Sequence, residues 1–281
     1  MRLGFLTQLT EQECKLAARI GYDCIEALGK WEVEELKKKD FVKTEAEKVK
    51  TMLQQSGISI SAIAIYFGGP TDRKGRVERY ALYMKMCRAL GVDVITTMTG
   101  GAPDKSLEEN LDEFEAVFSK VAARGEESGV KVAFENWPGL GSTFPPISSC
   151  NFGFTPQVWE QMFNRVDSEW IGLEFDPSHL VWQWADWALA LKKFITKVHH
   201  VHAKDTEVFA DCLAAGGTFS SGWWRYRLPG YGVVDWHKLT SLLKEGGYNG
   251  GVCVEHEDPV FSGERREEGL EKAHAYLRPL V

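Results

Sequence analysis

Four side chains in the C-terminal half of the sequence have the chemistry of a divalent-cation site. They are Glu135 in FENW, Asp176 in FDPSH, His202 in HVHAKD and Glu255 in VEHED. Each closes a short apolar run of strand character. At Asp176 a proline follows at once, and proline cannot donate a ladder hydrogen bond, so the strand stops there. Taken singly, a strand-end acid is as readily a solvated loop charge or a helix cap. Three carboxylates brought together would repel and raise one another's pKa values. A divalent cation removes that conflict, and three oxygen donors with one imidazole suit Mn²⁺ first, with Mg²⁺, Co²⁺ or Zn²⁺ as alternatives.

Other residues stand where they could serve such a site. His179, three residues after Asp176, can contact substrate or a metal ligand as well as a backbone carbonyl. Trp137 and Trp182 suit the walls of a pocket. Tyr66 and Phe67, at the exit of the third strand, can close its far side. The stretch GWWRYRLPG at 222–230 offers aromatic faces for a sugar ring, and in Arg225 or Arg227 a donor to hydroxyl, carboxylate or phosphate groups. Its plainer alternative is a packed loop or an oligomer contact. Lys204 and Asp205 read either as site residues or as a surface ion pair. His200 shares a side with His202 and lies deeper, whereas His199 points the other way. His256 faces away from Glu255 and is expected to be structural. His237 and His274 lie in helices and are expected at the surface.

These residues need a frame. Strand character is predicted at 2–7, 24–28, 59–66, 92–99, 130–137, 170–176, 198–205 and 250–258. Helical spacing is predicted at 11–21, 43–57, 73–91, 106–129, 155–166, 186–197, 235–247 and 263–280, with several of these segments stopping at glycine. Eight βα units in a chain of 281 residues have the size and rhythm of an α/β fold of the (β/α)₈ TIM-barrel type. No composition shift divides the chain, so one domain over 1–281 is expected. A doubly wound sheet is the alternative, but no GxGxxG follows the first strand. In a parallel barrel all strand exits share one face, which gathers the four candidate ligands over half of its mouth. The long loops 138–154 and 206–234, rich in Gly, Ser and aromatics, belong to that same face.

Composition narrows the partners. The net charge is -7 and no basic run exceeds Lys37-Lys38-Lys39, which argues against a nucleic-acid backbone. No apolar stretch approaches the roughly 20 residues that cross a bilayer. The first residues turn acidic too early for a secretory signal. The six cysteines, at 14, 24, 87, 150, 212 and 253, show no zinc-like spacing and read as reduced thiols, consistent with a cytoplasmic location.

FEN at 134–136, FDPSH at 175–179, HVHAKD at 200–205, GYGVVDW at 230–236 and VEHED at 254–258 resemble the xylose isomerase-like TIM barrels, the sugar phosphate isomerase/epimerase superfamily. The resemblance lies in the C-terminal half, and the N-terminal half matches in rhythm. It implies metal ligation by Glu135, Asp176, His202 and Glu255, and substrate contact by His179. It also implies a small-molecule sugar as substrate, and relatives of this kind are often dimers or tetramers. The nuclease branch of the superfamily is disfavoured, since it needs further metal-binding histidines and a basic groove.

The chemistry that follows is proton movement at a carbon next to a carbonyl, through an enediolate that the metal stabilises. By resemblance to the ketose 3-epimerases, Glu135 and Glu255 are the catalytic pair, one removing the proton and the other returning it. Those epimerases carry a substrate-contacting glutamate six residues after the first catalytic one, here Gly141, and an arginine six after the ligand histidine, here Val208. A sugar isomerase or epimerase is the first expectation, and these two positions set the chain apart from the free-ketose 3-epimerases. A lyase or dehydratase on a keto-sugar, inosose or 3-keto-glycoside is the second, and a non-catalytic sugar-binding subunit the third.

Overall fold

The computed structural model describes residues 1–66, 72–139 and 151–281. Phe67, Gly141 and Cys150 lie outside the described residues. In chain order the elements are β1 (Arg2–Gln8), α1 (Glu11–Ile20), β2 (Cys24–Leu28), α2 (Val33–Leu36), α3 (Phe41–Ser56), β3 (Ser59–Ala64), α4 (Arg73–Leu90), β4 (Val94–Thr97), α5 (Leu107–Ser128) and β5 (Lys131–Glu135). They continue with α6 (Pro156–Arg165), β6 (Ile171–Phe175), α7 (Pro177–Trp182), α8 (Trp187–Phe194), β7 (Val198–Ala203), β8 (Asp205–Val208), α9 (Ala210–Gly216), β9 (Trp224–Arg227), α10 (Trp236–Glu245), β10 (Gly251–Val254) and α11 (Arg266–Leu277).

Eight of these strands close a parallel barrel in the order β1-β10-β7-β6-β5-β4-β3-β2, as the alternation of elements predicts. Local chemistry starts and stops its helices. The side chains of Thr10, Ser106, Thr155 and Asp235 accept hydrogen bonds from backbone N–H groups in the first turns of α1, α5, α6 and α10. Helices α1, α3, α4 and α5 end on Gly21, Gly57, Gly91 and Gly129, all with positive φ, where a glycine costs least.

The apolar core lies between strands and helices, where Ile25, Ile63, Ile95, Phe134, Phe175, Val201 and Val254 face inward-turned helical residues such as Phe114, Trp159 and Leu270. The other face of each strand points into the barrel, and there the filling is unusual for this fold. Small residues, Ala62, Val94 and Ala133, line part of it. Much of the rest is polar: Glu26, Ser61, Thr96, Glu174, His200 and His202 are all fully or almost fully buried. Barrels of this type commonly fill that space with branched apolar side chains. At Gly251 a Cβ would stand 2.7 Å from His200 Nε2, so the glycine makes room for the imidazole.

Three expectations are corrected. The apolar runs overshoot the ladders: 92–99 yields only Val94–Thr97, and 250–258 only Gly251–Val254. The run 198–205 breaks after Ala203, and Asp205–Val208 instead pairs antiparallel with Trp224–Arg227, within a stretch expected to be loop. Asp205 causes the break, because its buried carboxylate accepts from the backbone N–H groups of Thr206, Gly230 and Val234 and from the Trp236 indole. Beyond β6 the chain enters helix α7 directly, with Asp176 as its cap to Ser178 N–H and Pro177 in the first turn. Among the described residues no helix is long and apolar enough to cross a membrane.

Candidate metal centre

Glu135 ends β5, Asp176 follows β6, His202 lies in β7 and Glu255 follows β10. The barrel brings one ligand atom of each within 4.8 Å of all the others. His202 Nδ1 lies 3.1 Å from Glu255 Oε2, 3.5 Å from Glu135 Oε1 and 4.0 Å from Asp176 Oδ2. Glu135, Asp176 and His202 are buried, and Glu255 is 15% exposed toward the mouth. Asp176 Oδ2 and His202 Nδ1 are buried and make no hydrogen bond, although charged atoms surround them. Buried polar atoms without a hydrogen bond are costly; Asp176 Oδ2 has only ion-pair contacts, with Lys204 Nζ at 3.2 Å and His179 Nε2 at 3.3 Å, and lies 4.0 Å from His202 Nδ1. Three carboxylate oxygens and one imidazole nitrogen this close together fit a divalent cation.

Electrostatics express the crowding. Burial and the charge of Glu255 push Glu135 up to about 7. Burial also raises Asp176, with Lys204 opposing. At Glu255 burial acts the same way but Lys204 and His202 outweigh it, and the carboxyl is held well below its usual range. Burial works against a charged His202, yet Glu174, Glu26 and Glu255 together raise it well above an ordinary histidine.

Lys204 and His179 stand beside the quartet. The Lys204 ammonium contacts Glu255, lies 3.0 Å from Glu257 Oε2 and 3.2 Å from Asp176 Oδ2, and sits 4.5 Å above the Tyr226 ring centroid. It is therefore not paired with Asp205, and the reading of those two as a surface ion pair is replaced by two separate buried roles. His179 Nε2 lies 3.2 Å from Glu135 Oε1 and 3.3 Å from Asp176 Oδ2, and its Nδ1 is 2.8 Å from the Tyr226 hydroxyl. Burial, helped by Lys204, keeps His179 neutral.

The aromatic candidates divide. Trp182 stacks on Trp224 with centroids 4.8 Å apart and planes within 3°, and its indole donates to the Tyr226 hydroxyl. Trp137 is half-buried, and its carbonyl accepts from Asn151. Tyr66, expected to close the far side of the mouth, turns its hydroxyl inward. Its hydroxyl donates into the barrel, 2.9 Å from Glu26 Oε1 and 2.7 Å from Glu174 Oε2. The arginines are committed elsewhere. Arg225 pairs with Glu207, and Arg227 bridges Glu207 and Asp258, which ties the β8–β9 hairpin to the segment after β10. Neither guanidinium is directed at the quartet by these bonds. His274 is half-buried at the surface, where it packs on the Tyr22 ring and bonds to the Gly21 carbonyl, and His237 is exposed as expected. His256 lies in contact distance of a Cβ built at Gly269, in a packing position.

Sequence reasoning missed Glu26, Glu174 and Glu257, and it named Tyr226 only as one of the aromatics of 222–230. Two of these carried a signal. Glu174 is two residues before Asp176 and so shares its face, and Glu26 interrupts the apolar strand CIEAL at its centre. His200, read as deeper, lies 2.7 Å from Glu174 Oε1. Burial would raise Glu26, but His202 and His200 bring it down to about 2. Glu174 is raised well above the usual range, by burial first and then by Glu26.

The chain is similar to known proteins over most of its length. The family model for the xylose isomerase-like TIM barrel matches residues 14–280. The uncharacterized protein YfiH of Bacillus subtilis is 26% identical over 94% of this chain and 95% of its own length. An inosose dehydratase of Clostridium perfringens is 27% identical over 62% of this chain, and the match spans about half of that relative, 54%. The crystal structure of the IOLI protein with a bound zinc atom superposes with a TM-score of 0.71 at 25% identity, covering 100% of this chain and 98% of that one.

Proposed function

The chain belongs to the xylose isomerase-like TIM barrels, and from that premise we propose that it is a divalent-metal-dependent enzyme that moves a proton at the carbon beside a carbonyl of a sugar or related polyol. The observation that carries this reading is the meeting of Glu135, Asp176, His202 and Glu255 within 4.8 Å, with two of their buried atoms otherwise unbonded. A divalent cation held there supplies stabilisation of the negative charge that develops on substrate oxygen when the adjacent carbon loses its proton. Mn²⁺ suits the oxygen-rich donors, and the zinc of the IOLI structure shows that a related barrel also takes a softer ion.

The chain's own residues do the rest. Glu135 and Glu255 leave β5 and β10, which β6 and β7 separate in the barrel, so the two carboxylates reach a substrate from different sides. One takes the proton and the other returns it. His179, held neutral with Tyr226 on its Nδ1, and the Lys204 ammonium donate to substrate oxygens. The stacked pair Trp182–Trp224 and the Trp137 ring give apolar faces for the carbon skeleton.

Isomerisation or epimerisation is the first outcome of that proton transfer. Elimination is the second: the glutamate that takes the proton returns it to a departing hydroxyl on the next carbon, which leaves as water, with the Lys204 ammonium beside Asp176 and Glu255 hydrogen-bonding that oxygen. The kinship with an inosose dehydratase agrees with that route. The test is a panel of ketoses, inososes and 3-keto-glycosides incubated with Mn²⁺ in D₂O. Deuterium entering an unchanged mass skeleton supports isomerisation, loss of one water supports elimination, and no exchange with any class contradicts both.

A further inference from the structure

Below the candidate cation site lies a second group with metal-like composition, Glu26, Glu174, His200 and again His202, also within 4.8 Å of one another and fully buried. The two groups differ in how their atoms are satisfied. In the lower one, Glu26 Oε1 accepts from Thr96 at 2.6 Å and lies 2.9 Å from the Tyr66 hydroxyl, and Glu26 Oε2 lies 2.9 Å from His202 Nε2. Glu174 Oε1 lies 2.7 Å from His200 Nδ1, and Glu174 Oε2 accepts from Tyr66 at 2.7 Å. His200 Nε2 ends the chain on Ser61 Oγ at 3.1 Å. Of the atoms in the two groups, the buried ones without a bond are Asp176 Oδ2 and His202 Nδ1, both on the upper side.

His202 belongs to both groups through opposite edges of one ring. Its Nε2 edge meets Glu26, Glu174 at 3.1 Å and the Tyr66 hydroxyl at 3.2 Å. Its Nδ1 edge meets Glu135 and Glu255. An imidazole whose Nε2–H is donated to a carboxylate keeps its lone pair on Nδ1, and carboxylates placed this way orient a ligating histidine and strengthen it as a donor. We propose that Glu26, Glu174, Tyr66 and His200 are positioning residues. They hold His202 with its proton on Nε2 and its Nδ1 aimed at the cation, and the protein binds one divalent ion rather than two. This rests on the metal reading of the upper group.

Mn²⁺ titration of the metal-free full chain by calorimetry, with Co²⁺ absorption as a second readout of His202 ligation, tests it. One ion per chain is expected. Glu26→Leu, which removes the acceptor, is expected to weaken Mn²⁺ binding by about 10–100-fold and to alter the Co²⁺ spectrum. Glu26→Gln, which keeps an acceptor oxygen, is expected to recover a large part of that loss. If the leucine variant does not fold, Tyr66→Phe and Glu26→Gln are read in its place, each expected to weaken binding several-fold. Two ions in the wild-type chain, or variants that bind Mn²⁺ as tightly as wild type with an unchanged spectrum, overturn the proposal. A wild-type chain that binds no divalent ion would instead remove the upper site itself.

Discussion

Asn136 and Asp176 exchange two hydrogen bonds of 2.8 Å: the Asn136 amide donates to the Asp176 carbonyl, and the Asp176 N–H donates to Asn136 Oδ1. The exchange extends the β5–β6 pairing past the strand ends and sets Asp176 in fixed register with Glu135, the neighbour of Asn136. Both residues are fully buried. Asn136→Ala strands a buried N–H and a buried carbonyl, so it is expected to destabilise the fold by about 2–4 kcal/mol and to weaken Mn²⁺ binding. Denaturant unfolding and metal titration measure the two effects, and a variant with wild-type values of both would show that the clamp is idle.

Glu255→Gln tests the proton transfer. The amide is nearly isosteric and lies at the mouth, so the melting temperature is expected to stay within a few degrees while turnover falls by about 10²–10⁴-fold or more. Turnover near the wild-type value, with substrate from the panel that shows exchange, would remove Glu255 from the mechanism.

The quartet was legible because parallel strands present their ends on one face and because side chains alternate along a strand. Glu135, Asp176, His202 and Glu255 each occupy an inward position at an exit, and those positions can be counted from the apolar runs. Glu26 was not legible, although it interrupts an apolar strand, because its meaning comes from His202 across the barrel, 176 residues later. The turn of the Tyr66 hydroxyl toward Glu26 and Glu174 is not legible for the same reason. The arginines of 222–230 were read by their chemistry alone. Their partners, Glu207 and Asp258, are set by the pairing of β8 with β9, which the glycine-rich flanks concealed. Asp205 looked like half of an ion pair, and only the backbone that folds around it shows it to be a turn hub.

Tyr226 holds His179 from behind, with its hydroxyl 2.8 Å from Nδ1. Removing that hydroxyl frees the ring to turn and costs about one hydrogen bond, roughly 1–1.5 kcal/mol. Tyr226→Phe is therefore expected to lower kcat/KM by about tenfold with a fall of only a few degrees in melting temperature. Steady-state kinetics decide it, and an unchanged kcat/KM would detach Tyr226 from the site.

Asp258 gives the fold a pH dependence. Burial would raise its pKa, but the Arg227 guanidinium and the N–H groups of Leu228 and Val260 outweigh that and depress it. A carboxyl depressed below its unfolded value of about 3.9 stabilises the fold above that pH. The contribution fades as pH falls through the folded pKa. Asp258→Asn is thus expected to lower the melting temperature at pH 7, with the gap to wild type closing below about pH 4. A gap that is constant with pH would mean that the charge of Asp258 contributes nothing.

Mn²⁺ at about 100 times its dissociation constant is expected to stabilise the folded chain by about 2.7 kcal/mol, and a chelator to reverse the gain. Glu135→Ala and Asp176→Ala should each abolish the Mn²⁺ effect. Melting curves with and without Mn²⁺ measure it, and an Mn²⁺-induced shift that survives in both variants would place the ion elsewhere.

The most direct measurement is anomalous diffraction at the manganese edge from crystals of the Mn²⁺-loaded chain. One peak is predicted, bonded to carboxylate oxygens of Glu135, Asp176 and Glu255 and to His202 Nδ1, with His202 Nε2 facing Glu26. A peak bonded to a different set of side chains, or to His202 through Nε2, would contradict the account.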